Sequence, residues 1–497
     1  MGRPRFYFAL VFLCVATAFA SDAKINKSKA NSASLPITTT SLQARVMFQE
    51  AMKNLEYLRV PDALDDLRSA VKKDPRFADG FLFISYLTQQ PDEQLSARNR
   101  AKQLAGRVTP GERLLIRWLS GVQEDDYVPA IAAMNDLLAR YPHDPRVAYL
   151  AGSWLVRQER YPQAAMILER AVALSPNYPA AINELGYAYA FSGDFPKAFD
   201  MMERYVALQP DQPNPYDSYG ELLRLAGKFD AALEHYRQAI RVDPNFGSEL
   251  GVADTYALMG KEEEAREEYA KAIMFAKNDG DRITYELQSA TTWIRENNRK
   301  QAEHALQDAA KHAHAVGIPR LEAEAHAIAA MIEPDYKSSM KQLQAAENAL
   351  SDRRQISKGD LDEEKARILR VRAERQADAG SADAAADVVG KLAVMASQSR
   401  DAQIQIAYHA AAGAVLMAEN NYADAIPHLE EDSADPASME RLSRAYAATG
   451  AKAEAHALEL RLAALNVPTA EQAVVVPSFR ATMVSQSSEL PSEVSKH

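Results

Sequence analysis

Cysteine is almost missing from this 497-residue chain, in which Cys14 stands alone. That excludes a disulfide framework and a cysteine-based zinc site. Glycine is also scarce, 20 of 497, below the usual ~7%. Few glycines beside abundant Ala and Leu favour helix over a turn-rich β fold. Basic charge is short: 57 Lys and Arg against 68 Asp and Glu leave a net charge of −11, with no long basic run. This argues against a nucleic-acid-binding surface. A polytopic membrane protein is excluded because no series of long hydrophobic runs is present. The chain has no G-x-S-x-G elbow, G-K-[ST] phosphate loop, G-x-G-x-x-G or H-E-x-x-H. What is present, 47% apolar and 25% charged residues, suits globular protein and a length of about three domains.

The first twenty residues read as an address. Arg3 and Arg5 precede an apolar run from Phe6 to about Thr17, and Ala18-Phe19-Ala20 is a small-x-small site. This is the secretory signal pattern, with cleavage expected after Ala20 and a periplasmic or secreted mature protein. An uncleaved anchor is the alternative, although Phe6–Ala20 is shorter than the ~20 residues of a spanning helix. Leu13 stands before Cys14 where a lipoprotein site would want a small residue, so Cys14 belongs to the apolar run. Residues 21–41, polar and rich in Ser and Thr, read as a disordered linker.

A period then emerges. Pro75, Pro110, Pro142, Pro176, Pro210 and Pro244 are spaced by 35, 32, 34, 34 and 34, each after a helix-like segment. Proline cannot continue a helix and fits as a stop. Residues 146–176, 180–210 and 214–244 align without gaps. Gly152, Gly186 and Gly220 lie 34 apart, as do Ala164, Ala198 and Ala232, while Gly193 and Gly227 mark turns. A fourth copy carries Tyr256, Gly260, Ala265, Tyr269 and Ala272. Gly186 and Ala198 would let two antiparallel helices approach, with Tyr189 and Met202 filling the space beside them. One such pair cannot bury its apolar face alone, but stacked pairs share a core.

These residues resemble the tetratricopeptide repeat family, a 34-residue helix–turn–helix. The resemblance implies an all-α, right-handed superhelical solenoid of antiparallel helix pairs. It is regular over 42–278 and degenerate over 279–466, where Gly317 and Pro319 separate two helices and Asp360-x-x-Glu363 resembles a capping box. Gly413, Leu416 and Ala425 restore a copy. Residues 277–282 are the expected hinge, one superhelix or two bodies being equally open, and 467–497 the expected disordered tail.

The resemblance also implies that first helices line a concave groove for a peptide or partner protein. Carried onto this chain, the groove comprises Arg146, Tyr149 and Ser153, then Asn183, Tyr187 and Ala190, then Asn214, Asp217, Glu221 and Arg224. Within each helix these stand three or four apart, on one face. The full basic set that clamps an acidic C-terminal tail is not found. The leading expectation is a non-enzymatic scaffold or adaptor outside the cytoplasm. A sensory repeat array of an envelope signalling system, anchored if the first segment is retained, is the second. An enzyme hidden in 279–466 is the third, and no convergent catalytic set supports it. No cofactor, metal or small-molecule substrate is expected. His304 and His312 stand about 12 Å apart along one helix, too far for one ion, and His314 points elsewhere. Asn278, Asp279 and Asp281 lack the later bidentate Glu of a calcium loop. Trp118, Trp154 and Trp293 are expected in the packing.

Overall fold

A computed structural model describes residues 34–489 apart from 58, 89, 352–355 and 357. The expected signal segment, most of the linker and residues 490–497 lie outside the described residues. Among those described, 25 α-helices follow one another. The first half runs α1 (Leu42–Glu56), α2 (Val60–Lys73), α3 (Ala78–Leu87), α4 (Pro91–Leu104), α5 (Pro110–Gln123), α6 (Tyr127–Arg140), α7 (Pro145–Arg157), α8 (Tyr161–Leu174), α9 (Pro179–Phe191), α10 (Phe195–Leu208), α11 (Pro213–Leu225), α12 (Phe229–Val242), α13 (Glu249–Leu258) and α14 (Glu262–Phe275). The second half continues α15 (Asp279–Arg295), α16 (Arg299–Val316), α17 (Pro319–Ile332), α18 (Tyr336–Ala349), α19 (Lys358–Asp378), α20 (Ala382–Gln398), α21 (Ala402–Ala418), α22 (Tyr422–Glu431), α23 (Pro436–Thr449), α24 (Lys452–Ala463) and α25 (Ala470–Glu489). They stack as antiparallel pairs, the all-helical solenoid that the period implied. Among the described residues no helix is long and apolar enough to cross a membrane.

Missing side chains set the approach within each pair. A Cβ on Gly152 would stand 2.5 Å from Leu168, and one on Gly220 3.0 Å from Tyr236. One on Gly186 would run into Met202. Each contact lies sixteen residues downstream, and Gly413 repeats it against Leu429 at 2.6 Å. Ala164, Ala198, Ala232 and Ala265 are fully buried in the facing helices. Met202 fills the space as expected, and Tyr189 packs half-buried against the same core while its hydroxyl donates to Glu169 at 2.6 Å. Trp118 and Trp154 meet edge to face in the core, rings 6.4 Å apart, while Trp293 lies half-buried under the Arg266 guanidinium.

The turn inside each pair from α5–α6 to α13–α14 uses left-handed backbone. Asp125, Glu159, Gly193, Gly227 and Gly260 all take positive φ there, 34, 34, 34 and 33 residues apart. Glycine does this freely, whereas an Asp or Glu pays about 1–2 kcal/mol. Those two exceptions stand where the first half meets the second. The Asp125 carboxylate accepts from the Ser399 hydroxyl at 2.8 Å and pairs with Lys358 Nζ at 3.2 Å. Glu159 accepts from Gln403 Nε2 at 2.9 Å. The Tyr127 hydroxyl donates to Asp401 at 2.8 Å, and Arg224 donates to the Asn466 carbonyl at 3.2 Å. These bonds tie the two halves into one body.

Several local expectations change. The 277–282 segment is a capped helix start, not a hinge: Asn278 accepts from the Asp281 N–H and α15 begins at Asp279. Asp360 and Glu363 do not form a capping box, because α19 already begins at Lys358. Gly317, left-handed, closes α16, and Pro319 opens α17. The linker is ordered from 34 onward, because Leu35, Pro36 and Ile37 bury apolar surface and three carboxylates accept from the Leu35 and Thr38 N–H groups and the Thr38 and Thr39 hydroxyls. The tail is helical over 470–489, because Ala470, Ala473 and Val476 recur every third residue and bury one face. That helix packs on α15, α17 and α23, and Arg480 donates to the Ala463 and Leu465 carbonyls at the end of α24.

Glycine substitutions separate close approach from helix propensity. Gly390, in α20 with open space around it, should gain up to about 1 kcal/mol as Gly390→Ala. Gly152→Ala and Gly413→Ala should instead lose about 1–3 kcal/mol by overpacking Leu168 and Leu429. Urea unfolding checks this; a gain at all three positions would contradict the close approach.

Candidate functional site

Successive first helices touch one another, α7 with α9, α9 with α11 and α11 with α13, and second helices pack together far less. First helices therefore lie inside the curve. The curve is tight enough that α1 also touches α9. Neighbouring pairs cannot cover this inner face, so its side chains must satisfy one another, water or a ligand.

They form a ladder across the repeats. The Ser153 hydroxyl donates to Glu184 at 3.3 Å, Tyr187 to Glu221 at 2.6 Å, and Ser248 to Asp217 at 2.7 Å. Burial pushes the Glu184 carboxyl up to about 7, against the pull of Arg157 and Ser153. Burial, then the Glu221 charge, keeps the Tyr187 phenol protonated. Tyr149 leans on Tyr178, ring centroids 5.1 Å apart. Asn183 is only 6% exposed, and its side-chain oxygen has no hydrogen-bond partner. An unmet buried acceptor costs about 1–3 kcal/mol.

The structure brings Ser153, Tyr187, Asp217 and Glu221 together, each paired with an adjacent repeat or with Ser248. It places the others differently from an open groove. Arg224 is 2% exposed, held by Tyr236, Glu221 and Asn466, so it is an anchor for the returning chain. Ala190 is buried. Asn214 donates to the Tyr205 hydroxyl at 2.8 Å. Arg146 lies on Asp144 and reaches the Leu35 carbonyl at 3.5 Å. The three weighed histidines face separate carboxylates: His304 Asp308, His312 Glu286 and His314 Glu322. Among the described residues no group of three or more His, Cys, Asp or Glu could hold a metal ion.

Sequence reasoning missed the acidic seam between the halves. Its signal was the 34-residue phase, which places Asp125 and Glu159 at turn positions that Gly193 and Gly227 fill elsewhere. Glu363 lies in this seam, pushed up to about 9 by burial and then by Asp401, Asp360 and Glu364, with Arg320 opposing. Asp401 is itself raised by burial, although Tyr127 and the N–H groups of Gln403 and Ile404 support its charge. Asp125 and Lys358 complete the surrounding charges.

A carboxyl that keeps its proton to about 9 in the fold, but releases it near its ordinary 4.5 when unfolded, binds more protons folded than unfolded between those values. Stability should therefore fall as pH rises from about 5 to 9. Glu363→Gln should flatten that fall, read as the thermal midpoint against pH. An unchanged slope would show that Glu363 does not carry it.

Sequence models of the tetratricopeptide repeat match residues 155–218, and residues 125–179 and 220–281. No significantly similar curated protein was found. Solved structures similar to the chain include the MamA protein, with 22% identity over 33% of this chain and 91% of that one, TM-score 0.29. Another is the Cut9–Hcn1 hetero-tetramer of the APC/C, with 16% identity over 81% of this chain and 76% of that one, TM-score 0.39. A third is a tetratricopeptide repeat protein from Parabacteroides merdae, with 11% identity over 62% and 100%, TM-score 0.35. The chain therefore carries tetratricopeptide repeats between residues 125 and 281, and their glycine approach recurs at Gly413.

Proposed function

We propose that the chain works without catalysis, seating a partner protein on the inner face of α7, α9 and α11, outside the cytoplasm. Its tetratricopeptide repeats support a protein–protein interaction scaffold. The observation that carries the finer reading is the ladder of Ser153, Glu184, Tyr187 and Glu221 beside the unmet Asn183 oxygen. These groups present donors and acceptors in fixed positions, so little ordering is left to be met at binding. The location rests on Arg3, Arg5 and the apolar run that ends at Ala20.

The test is capture from an envelope extract by the full chain, read by mass spectrometry. Tyr187→Ala with Ser153→Ala should lose the partner, tenfold or more, while circular dichroism stays unchanged. Arg224 is unsuitable as a probe, because it holds the returning chain. A partner kept equally by the variant would move the site off this face.

A further inference from the structure

An extended stretch of this chain, residues 35–39, lies across the inner ends of the first repeats as a ligand would. The Leu35 N–H donates to Asp144 at 2.7 Å, and its carbonyl accepts from Arg146. The Thr38 N–H and hydroxyl donate to the two Glu112 oxygens at 2.6 and 2.7 Å. The Thr39 hydroxyl donates to Asp74 at 2.6 Å. Leu35, Pro36 and Ile37 cover a cavity of about 60 Å³ walled by Phe48, Met52, Phe83, Leu115 and Leu150.

Each of the three carboxylates is held by contacts other than the strap. Asp144 caps α7, Glu112 closes a capping box with Thr109, and Asp74 accepts from the Arg76 N–H. They are preorganised acceptors whose remaining lone pairs face the strap. The cavity also holds an unmet group: Asp79 is 3% exposed and its Oδ1 has no hydrogen-bond partner. A groove this acidic rejects an acidic segment. It takes backbone N–H groups and hydroxyls, with apolar side chains seated beneath.

From this geometry we infer that the strap is a displaceable resident, and that the groove of α1, α3, α5 and α7 binds an extended partner segment of the pattern apolar–Pro–apolar followed by two Ser or Thr, in competition with it. The inference rests on the reading that a partner enters the inner face. Exchange of straps between two copies is disfavoured by the chain itself. Ser41 caps α1 directly, and Arg45 of α1 donates to the Thr39 carbonyl, so a displaced strap stays tethered beside its own α1 and is too short to reach the groove of a second molecule. A competing resident lowers apparent affinity by the fraction of molecules whose groove is free.

The probe is a fluorescein-labelled peptide of residues 34–41, Ser-Leu-Pro-Ile-Thr-Thr-Thr-Ser, titrated by anisotropy into the full chain and its Ile37→Asp variant. Thr38→Glu, which sets a second carboxylate against Glu112, is an independent way to release the strap. Release is verified by faster amide exchange at residues 35–39, and folding by unchanged helicity. Both variants should bind the peptide tenfold or more tighter than the unaltered chain. A peptide with Glu in place of its first two threonines should not bind. Equal affinity in released and unaltered chains, or no binding to a folded, released chain, would overturn the inference. So would equal binding of the acidic peptide, or self-association of the chain that Ile37→Asp abolishes. Partner capture that depends on Tyr187 but not on Ile37 would sink this inference while leaving the reading of the α7–α11 face intact.

Discussion

A helix pair in a curved stack buries itself against the pair before and the pair after, and nothing in that arrangement covers the inside of the curve. The rest of this molecule answers that constraint. Close glycine approaches make the pairs thin, the curve is tight enough for α1 to reach α9, and the chain then covers much of the inner face with itself. The strap lies on the first repeats and α25 on α15, α17 and α23, while the acidic seam joins the turns and the start of α6, at the edge of the stack, to the start of α21. Between these covered stretches runs the ladder from Ser153 to Asp217, whose bonds join adjacent repeats side chain to side chain.

The covering contacts fall on carboxylates that already have a local task. A carboxylate at a helix start meets unpaired N–H groups and the positive end of the helix dipole. It keeps lone pairs beyond those its cap uses. Asp144, Glu112 and Asp401 each serve one segment locally and a distant one as well: Leu35, Thr38 and Tyr127 respectively. The inner face is acidic for the same reason the helices are well started. Removing one of these groups would therefore loosen a helix start together with a long-range contact, so variants on the visiting segment report more cleanly than variants on the acceptor.

The repeat was legible because its physics is local and periodic. Gly152, Gly186 and Gly220 must be small where Leu168, Met202 and Tyr236 press on them, and the 34-residue phase shows it. Gly193 and Gly227 were visible as turns because glycine advertises positive φ, but Asp125 and Glu159 at the same phase carry no such mark. The strap escaped notice because three apolar residues in a polar stretch have no period. The tail escaped because Pro477 interrupts a helix whose buried positions are mostly alanine and valine. Of the groove set, Ser153, Tyr187, Asp217 and Glu221 were placed by the resemblance to the repeat family, spacing showing only that residues of one helix share a face. Arg224 satisfies the same spacing, yet its partner Asn466 stands 242 residues away, and no local pattern predicts that burial.

A scaffold whose inner face is already filled and ordered binds differently from an empty one. The incoming segment need not order the protein, so its affinity does not bear that cost. It must instead displace groups that are tethered to the groove and never diffuse away. Intramolecular contacts of this kind act at a high effective concentration. Weak individual bonds then suffice to keep the face closed to poor matches. Asp125 and Glu159 accept backbone strain at positions where glycine would be easier, and each returns a bond to the second half. That exchange fixes the curvature on which the strap, the ladder and the seam all depend. The spacing of the acceptors Asp74, Glu112 and Asp144 is thereby set by the closure of the whole superhelix and not by any one repeat.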